Sequence, residues 1–313
     1  MLRLIARRLL VSAVLVLLVS LLTFLLQAAA PGDTARTILG DHYSPEAHRL
    51  LAHRLHLDEP VLVQYAHWLG QALRGDLGSS PISGLDVGAE IAGRLPVTLS
   101  LIVCTTTVTA VLGVALGVLS AVRGGRIGRA VDLVSLIGYA LPGFWLALVL
   151  VALLAVAVPV FPATGYVAFA DAPAGWARSL VLPVATLALP GIAVFAKQTR
   201  DAMLEALSRD FVTTLRANGA SRASVVLRHA LRNAAIPVVT LVGLTSVGLL
   251  SGTVFVEAVF AMPGLGGLAA QATTQHDIPV IQGVVVVFTL VVVAVNLAVD
   301  LAYARLNPKV RVP

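Results

Sequence analysis

Six stretches of this chain are too long and too apolar to be packed inside a water-soluble fold. They are Leu9 to Ala30, Pro96 to Val122, Leu133 to Val160, Leu180 to Ala196, Ala234 to Val256 and Ile281 to Tyr303. Crossing about 30 Å of hydrocarbon takes roughly 20 helical residues, and none of the six alternates apolar and polar side chains as a barrel strand would. Lipid offers no hydrogen-bond partners, so runs of this kind must satisfy their own backbones as helices. The expectation is an all-α membrane protein of about six transmembrane helices. Only 12% of the residues are charged, against roughly 25% in a soluble domain.

The first run has the outline of a secretory signal, with Arg3, Arg7 and Arg8 before it and Ala28-Ala29-Ala30 at its end. It is longer than the roughly 7 to 15 residues of a signal core, and Pro31 would follow the cut. An uncleaved first helix is therefore expected. Orientation follows from Lys and Arg. With both termini and the second and fourth connections on one side, that side holds 16 of the 22 basic residues and only five of the 16 acidic ones, Asp132, Asp201, Glu205, Asp210 and Asp300. Both termini are thereby expected to be cytoplasmic. The net charge of +6 reflects this topology and not a nucleic-acid partner, because no basic face with interleaved aromatics is present. Cys104 is the only cysteine, which excludes a disulfide framework and a Cys-based metal site.

Residues 31–95 would form a small extracytoplasmic helical cap. Ser44-Pro45-Glu46 is a helix start, with Ser as N-cap, Pro at the first helical position and an acid in the first turn; that helix should run to about Leu57. A second amphipathic helix is expected through Val61, Tyr65, Trp68, Leu69, Ala72 and Leu73, ended by Gly75-Asp76-Leu77-Gly78. His42, His48, His53, His56 and His67 fall in the cap, but with no Cys or acidic pair beside them they read as solvated histidines and no metal is expected. Breakers punctuate the later spans: Pro142-Gly143, Pro183, Pro190-Gly191, Pro237, Gly243, Gly248 and Gly252. Helices so interrupted kink or pack closely.

The connection from Lys197 to Asn233 carries seven Lys or Arg. Arg200 to Leu207 should extend the fourth span, Ser208 should cap a short helix through Asn218, and Gly219 suits the left-handed position that ends it. Ser221 should cap the next helix, which climbs toward Pro237. A short helix held crosswise between two spanning helices is a lever for a cytoplasmic partner.

In this connection Asp210-Phe211-Val212-Thr213-Thr214-Leu215-Arg216-Ala217-Asn218-Gly219-Ala220, followed by Arg228-His229-Ala230-Leu231-Arg232-Asn233 and Pro237, resembles the characteristic loop of the B-type permeases of dipeptide, oligopeptide and nickel ABC importers. The resemblance covers the whole chain. It includes Pro31-Gly32-Asp33, Leu57-Asp58-Glu59-Pro60 with Gln64-Tyr65, Gly75-Asp76-Leu77-Gly78, Pro162-Ala163-Thr164-Gly165 and Leu182-Pro183 with Thr186-Leu187. It continues through Glu257-Ala258-Val259-Phe260-Ala261-Met262-Pro263-Gly264-Leu265-Gly266, Asn296-Leu297-Ala298-Val299-Asp300 and Asn307-Pro308-Lys309-Val310-Arg311. Thr213, Leu215 and Asn218 depart from it, standing where relatives usually carry Arg, Ala and Lys.

The resemblance implies a type I ABC importer permease fold in the bacterial plasma (inner) membrane. It divides the chain into residues 1–30 (tail and first transmembrane helix), 31–95 (cap), 96–303 (a five-helix core with the coupling loop 197–233) and 304–313 (cytoplasmic tail). It further implies a second, C-type permease subunit, two cytoplasmic ATPase subunits or domains, an extracytoplasmic substrate-binding protein and peptide as cargo, with nickel chelates or haem-like molecules as alternatives. Asp210, Phe211, Thr214, Arg216, Ala217, Gly219, Arg222, Arg228 and His229 become candidates for coupling to the ATPases. No cofactor is expected in this chain, and ATP with Mg would be used by the partner subunits. Its two lysines are followed by Gln198 and Val310, which excludes the phosphate-cradling Gly-x-x-x-x-Gly-Lys-Ser/Thr loop. Tyr139, Trp145, Thr245, Ser246 and Ser251 are candidates to line a substrate path. An ion-coupled secondary transporter would need ionisable residues near the midplane, where the six runs have almost none; Glu257 and Asp300 lie near helix ends and look like interface anchors or subunit contacts. An intramembrane enzyme would need converging catalytic groups, whereas His229 and His276 fall in connections.

Overall fold

The computed structural model describes residues 2–30 and 34–306, with side chains from Arg8 onward except those of Ile127, Tyr139 and Leu306. Pro31-Gly32-Asp33 and the tail motif Asn307 to Arg311 lie outside the described residues. Among the described residues there is no strand, and twelve α-helices follow one another: α1 (Leu2–Ala29), α2 (Thr34–Leu39), α3 (Pro45–Arg54), α4 (Val61–Ala72), α5 (Val87–Arg123), α6 (Gly125–Ala140), α7 (Gly143–Val151), α8 (Pro173–Ser208), α9 (Asp210–Ala217), α10 (Leu231–Val259), α11 (Leu265–Gln275) and α12 (Ile278–Leu306). Five helical stretches are long and apolar enough to cross a membrane, or six if the bent pair formed by α6 and α7 counts as one span.

That pair corrects the expectation of one continuous helix from Leu133 to Val160. The chain bends by 99° between Gly128–Gly138 and Gly143–Ala157. Pro142 is the reason, since a proline pushes the residue before it out of the helical region and offers no N–H of its own. Leu141 is extended at φ −75°, ψ 127°, and Pro142 follows at ψ 131°. After the break α7 runs on into a π-helical turn, Ala152–Ala157.

The chain separates by contact into two units, a division made by packing, unlike the topological boundaries above. The first comprises residues 1–98 and 263–293, the second residues 99–262 and 294–313. Helices α5 and α12 contribute to both.

In the first unit the cap helices form as their signals direct. Ser44 Oγ accepts the Ala47 N–H at 3.1 Å and Pro45 opens α3. α3 stops at Arg54, earlier than the expected Leu57, because His56 takes a left-handed φ of +56°. α4 turns Tyr65 and Trp68 into a core with Phe24 of α1, the Phe24 and Tyr65 rings meeting edge to face at 5.7 Å. Ser20 joins three helices: its Oγ lies 2.9 Å from the Tyr65 hydroxyl, and its carbonyl accepts from Gln282 Nε2 at 3.1 Å. A second core joins Val87 and Ile91 of α5, Leu265 and Leu268 of α11, and Val280, Ile281 and Val284 of α12. Helix α11 was not anticipated; it lies in a short, Gly- and Thr-rich segment with no apolar run. The Leu265 N–H, at its start, donates to Thr98 Oγ1 at 2.8 Å. Where α11 meets α12, Asp277 is buried and accepts the hydroxyl proton of buried Ser80, which in turn accepts the Ile82 and Ser83 amides.

The second unit rests on α5 against α8. A Cβ at Gly117 would stand 2.6 Å from both the Ala196 carbonyl oxygen and Thr199 Cβ, and one at Gly191 would stand 2.8 Å from Thr109 Cγ2. Gly113, one turn before Gly117, faces Phe195. This Gly-x-x-x-Gly face brings two backbones into contact. α6 is tied to α8 by Asp132 and Arg200, 3.1 Å apart.

Gly117→Val should lower stability in detergent by about 1–3 kcal/mol, the usual cost of overpacking, measured by thermal or denaturant unfolding against Gly248→Ala, a site with open space. Burial pushes the Asp277 carboxyl above the usual carboxylate range, against the lowering effect of the Ser80 hydroxyl and Val280 amide. A raised folded pKa means the native state holds its proton longer than the unfolded chain, so its contribution is full below the ordinary carboxylate pKa and is lost as pH rises through the folded one. Melting temperature measured across that window should fall with rising pH in the wild type, with a shallower slope in Asp277→Asn.

Candidate coupling site and substrate path

Helix α8 carries the chain out of the bilayer as far as Ser208. Arg209 then becomes extended (φ −76°, ψ 149°) and α9 begins at Asp210. Ser208 does not cap α9, contrary to the sequence reading: its Oγ donates to the Glu205 carbonyl at 2.8 Å, and Arg209 holds the N-cap position with its guanidinium on Glu205 and no side-chain bond to α9. Gly219 does end the segment in the left-handed region at φ +80°. Ser221 caps the next helix as expected, its Oγ accepting the Ser224 N–H at 3.3 Å. That helix passes through a π-helical turn, Ser224–Ala230, directly into α10.

α9 is amphipathic. Val212 is buried and Phe211 and Leu215 are half-buried, while Asp210, Thr213, Thr214, Arg216, Ala217 and Asn218 are exposed. Asp210 in the first turn and Arg216 in the last complement the helix dipole. α9 touches the π-helical turn Ser224–Ala230, whose Val226 and Ala230 pack with Met203 and Ala206 of α8 and with Ala234 of α10. A push on α9 therefore meets a small core joined to α8 and α10. The bulk of Leu215 is partly tucked away, so among the departing residues Thr213 and Asn218 alter the exposed face.

The other coupling candidates divide. Arg222 is partly committed, donating from Nη2 to the Val122 carbonyl at 3.0 Å and so capping the end of α5. Arg228 is exposed. His229 is half-buried and lies in the π-helical turn, on the helix expected to climb from Ser221 toward Pro237; Asn233 Nδ2 donates to its carbonyl at 2.9 Å.

The path candidates are not gathered into one site. The Tyr139 side chain lies outside the described residues. Trp145 of α7 is exposed, and on α10 Thr245 is half-buried, Ser246 buried and Ser251 exposed. Ser246 lines a groove of about 310 Å³, with Thr106, Thr107, Val242 and Val299. Its hydroxyl donates to the Val242 carbonyl at 2.8 Å and sits 3.3 Å from Thr106 Oγ1. Thr106 and Thr107 were missed; their signal was the run Thr105-Thr106-Thr107 inside an apolar helix. Glu257 lies near the end of α10, as expected, but it is buried there, which does not suit an interface anchor.

In the cap, His53 Nδ1 lies 2.8 Å from Asp58, and His56 and His67 share Glu59 at 2.8 and 3.4 Å. The hydrogen bond with Asp58 raises the His53 pKa, and that with His53 lowers the Asp58 pKa. Among the described residues no group of three His, Cys, Asp or Glu is arranged to hold a metal.

Residues 113–312 match the model of the family described as binding-protein-dependent transport system inner membrane component, and residues 1–102 match that of its N-terminal region. A protein named as a peptide transport system permease in Brucella abortus strain 2308 is 42% identical over 296 residues, covering 94% of each chain. The dipeptide transport system permease protein DppB of Escherichia coli K12 is 37% identical over 319 residues, again covering 94% of each. Among solved structures, an inward-facing MetNI methionine ABC transporter superposes with a TM-score of 0.52 at 21% identity, covering 67% of this chain and 93% of that one; the likeness is one of fold. The chain belongs to the binding-protein-dependent transport system inner membrane components.

Proposed function

We propose that this protein is one permease subunit of an ATP-driven importer of di- or oligopeptides, forming half of the translocation pathway. The observation that carries the reading is α9, an amphipathic helix whose polar face is exposed and which packs against the π-helical turn Ser224–Ala230, itself part of a core shared with α8 and α10. The names of the relatives support peptide as cargo. The remaining parts are a C-type permease, two cytoplasmic ATPase subunits that bind and hydrolyse ATP with Mg, and an extracytoplasmic binding protein. Selection among peptides falls largely to that protein.

In this mechanism the ATPases grip the exposed face of α9, from Asp210 to Ala217. Closure of the ATPases displaces α9 against the turn Ser224–Ala230, and the load passes through the core of Val226, Ala230, Met203 and Ala206 to α8 and α10. Both helices contain prolines, Pro183 and Pro190 in α8 and Pro237 in α10. Each proline removes one rung of the helical hydrogen-bond ladder, so bending concentrates there. Arg222 serves as a positioning residue, holding the segment after α9 to the end of α5. The basic asymmetry of the loops supports an orientation with α9 and both termini in the cytoplasm and the α3–α4 cap outside, in a bacterial inner membrane.

Arg216→Glu together with Arg222→Glu should uncouple the assembly. In vesicles reconstituted with all partners, peptide uptake per ATP hydrolysed should fall at least tenfold; an unchanged ratio would remove the coupling role of this segment. The same assay decides the cargo: peptide with the binding protein should stimulate hydrolysis, whereas stimulation only by a nickel chelate or a haem-like molecule would reassign it.

Orientation has a separate check. In a Cys104→Ala background, a cysteine replacing Asn218 should react with an impermeant maleimide only in inverted vesicles. One replacing Ser44 should react only in right-side-out vesicles, and the reverse pattern would invert the topology.

A further inference from the structure

At the end of α5 the second unit carries a shallow groove, open along one side, of about 600 Å³. Its walls are apolar, chiefly Leu119, Val122, Val226 and Leu227, and two guanidinium groups, Arg123 and Arg222, stand in its lining. Leu119 and Leu227 are 38% and 61% exposed. The space exists because Ala115 and Ala223, also in the lining, are too short to fill it.

The axial order of these residues follows from helix geometry. Ala115, Leu119 and Arg123 are spaced four apart on one face of α5, so Arg123 lies about 12 Å further along the axis than Ala115. Apolar contacts therefore occupy the bilayer side of the groove, and the cations occupy the helix end where headgroups begin. Arg222 is held there by its bond to the Val122 carbonyl, which uses one of the five N–H donors of the guanidinium. The rest remain to a ligand. Arg123 is exposed and makes no ion pair among the described residues.

We propose that this groove is a binding site for an anionic phospholipid, with an acyl chain along Leu119, Val122 and Leu227 and the headgroup phosphate between Arg123 and Arg222. The charge of the mouth selects the occupant. Arginine pairs with phosphate through a planar fork of donors. A zwitterionic lipid brings an ammonium group toward the same two cations, whereas phosphatidylglycerol brings none. Basic pockets between transmembrane helices are a recurring place for anionic headgroups. Ordinary snorkelling of an arginine needs neither the groove nor a fixed neighbour such as Arg222. Because Arg222 also secures the segment after α9, an occupied site would brace the coupling region.

The test uses the full chain purified with its partners, loaded with phosphatidylglycerol or phosphatidylethanolamine and read by native mass spectrometry for lipid retained after detergent exchange. The wild type should retain phosphatidylglycerol preferentially. With each arginine near a surface contributing as basic residues do toward anionic lipid, Arg123→Gln should reduce retention about fivefold, and Arg123→Gln with Arg222→Gln roughly 30-fold. Leu119→Trp should displace the lipid with both arginines intact. Arg126→Gln with Arg129→Gln removes the same charge outside the groove and should change nothing. If the Arg222 variant fails to fold, Arg123→Gln and Leu119→Trp still decide the matter. Equal retention of the two lipids by the wild type would overturn the proposal. So would an equal loss in the Arg126 and Arg129 control, or a photo-crosslinker at position 119 that labels a protein partner instead of lipid. None of these readouts depends on what the protein transports.

Discussion

Lipid tails are as apolar as leucine, so no hydrophobic force pulls two spanning helices together, and close packing has to hold them. In this protein that demand is met where α5 lies on α8. Gly113 and Gly117 let the α5 backbone approach Phe195, Ala196 and Thr199, and Gly191 receives Thr109 in the opposite sense. The contacts recur at a constant offset along both helices, as parallel helices in register must. With α5 and α8 locked, the Asp132–Arg200 pair can hold α6, and Arg222 can cap the end of α5. The groove at Arg123 and Arg222 is a by-product of the same small-residue economy, with Ala115 and Ala223 leaving space at the rim.

The first unit solves the same problem with polar contacts. Ser20 and Gln282 would be costly in hydrocarbon if left alone, and each has a partner that also joins two helices. Such bonds between spanning helices are worth little individually, about 1 kcal/mol or less, but they are directional and set which faces meet. Asp277 and Ser80 do comparable work at the α11–α12 junction, where a buried carboxyl is held by one hydroxyl and one backbone amide.

The coupling segment shows how local rules and packing divide the labour. Gly219 and Ser221 act as punctuation because each meets a purely local need, a positive φ and an orphan N–H. Ser208 was equally legible as a cap, yet its hydroxyl turned back to the Glu205 carbonyl. Both uses are local bonds open to serine, and the choice depended on the direction in which Arg209 leaves α8. The π-helical turn at Ser224–Ala230 likewise has no signature in the residues themselves.

The sequence by itself determined the solvent, the helical class, the approximate spans and the family, since long apolar runs and turn residues act over a few neighbours and need no tertiary context. It also marked a short helix after Ser208 ended by Gly219, whereas the burial of Val212 on one face of α9 came only from the structure. Only the tertiary structure decided what depends on which faces meet. It bent the third span at Leu141-Pro142, raised a helix at Leu265–Gln275 from a segment with no apolar run, buried Glu257, and set Ser246 in a groove with Thr106 and Thr107. A side chain's periodicity tells which way it points from its own helix axis; what stands opposite is chosen by packing over residues far away in the chain.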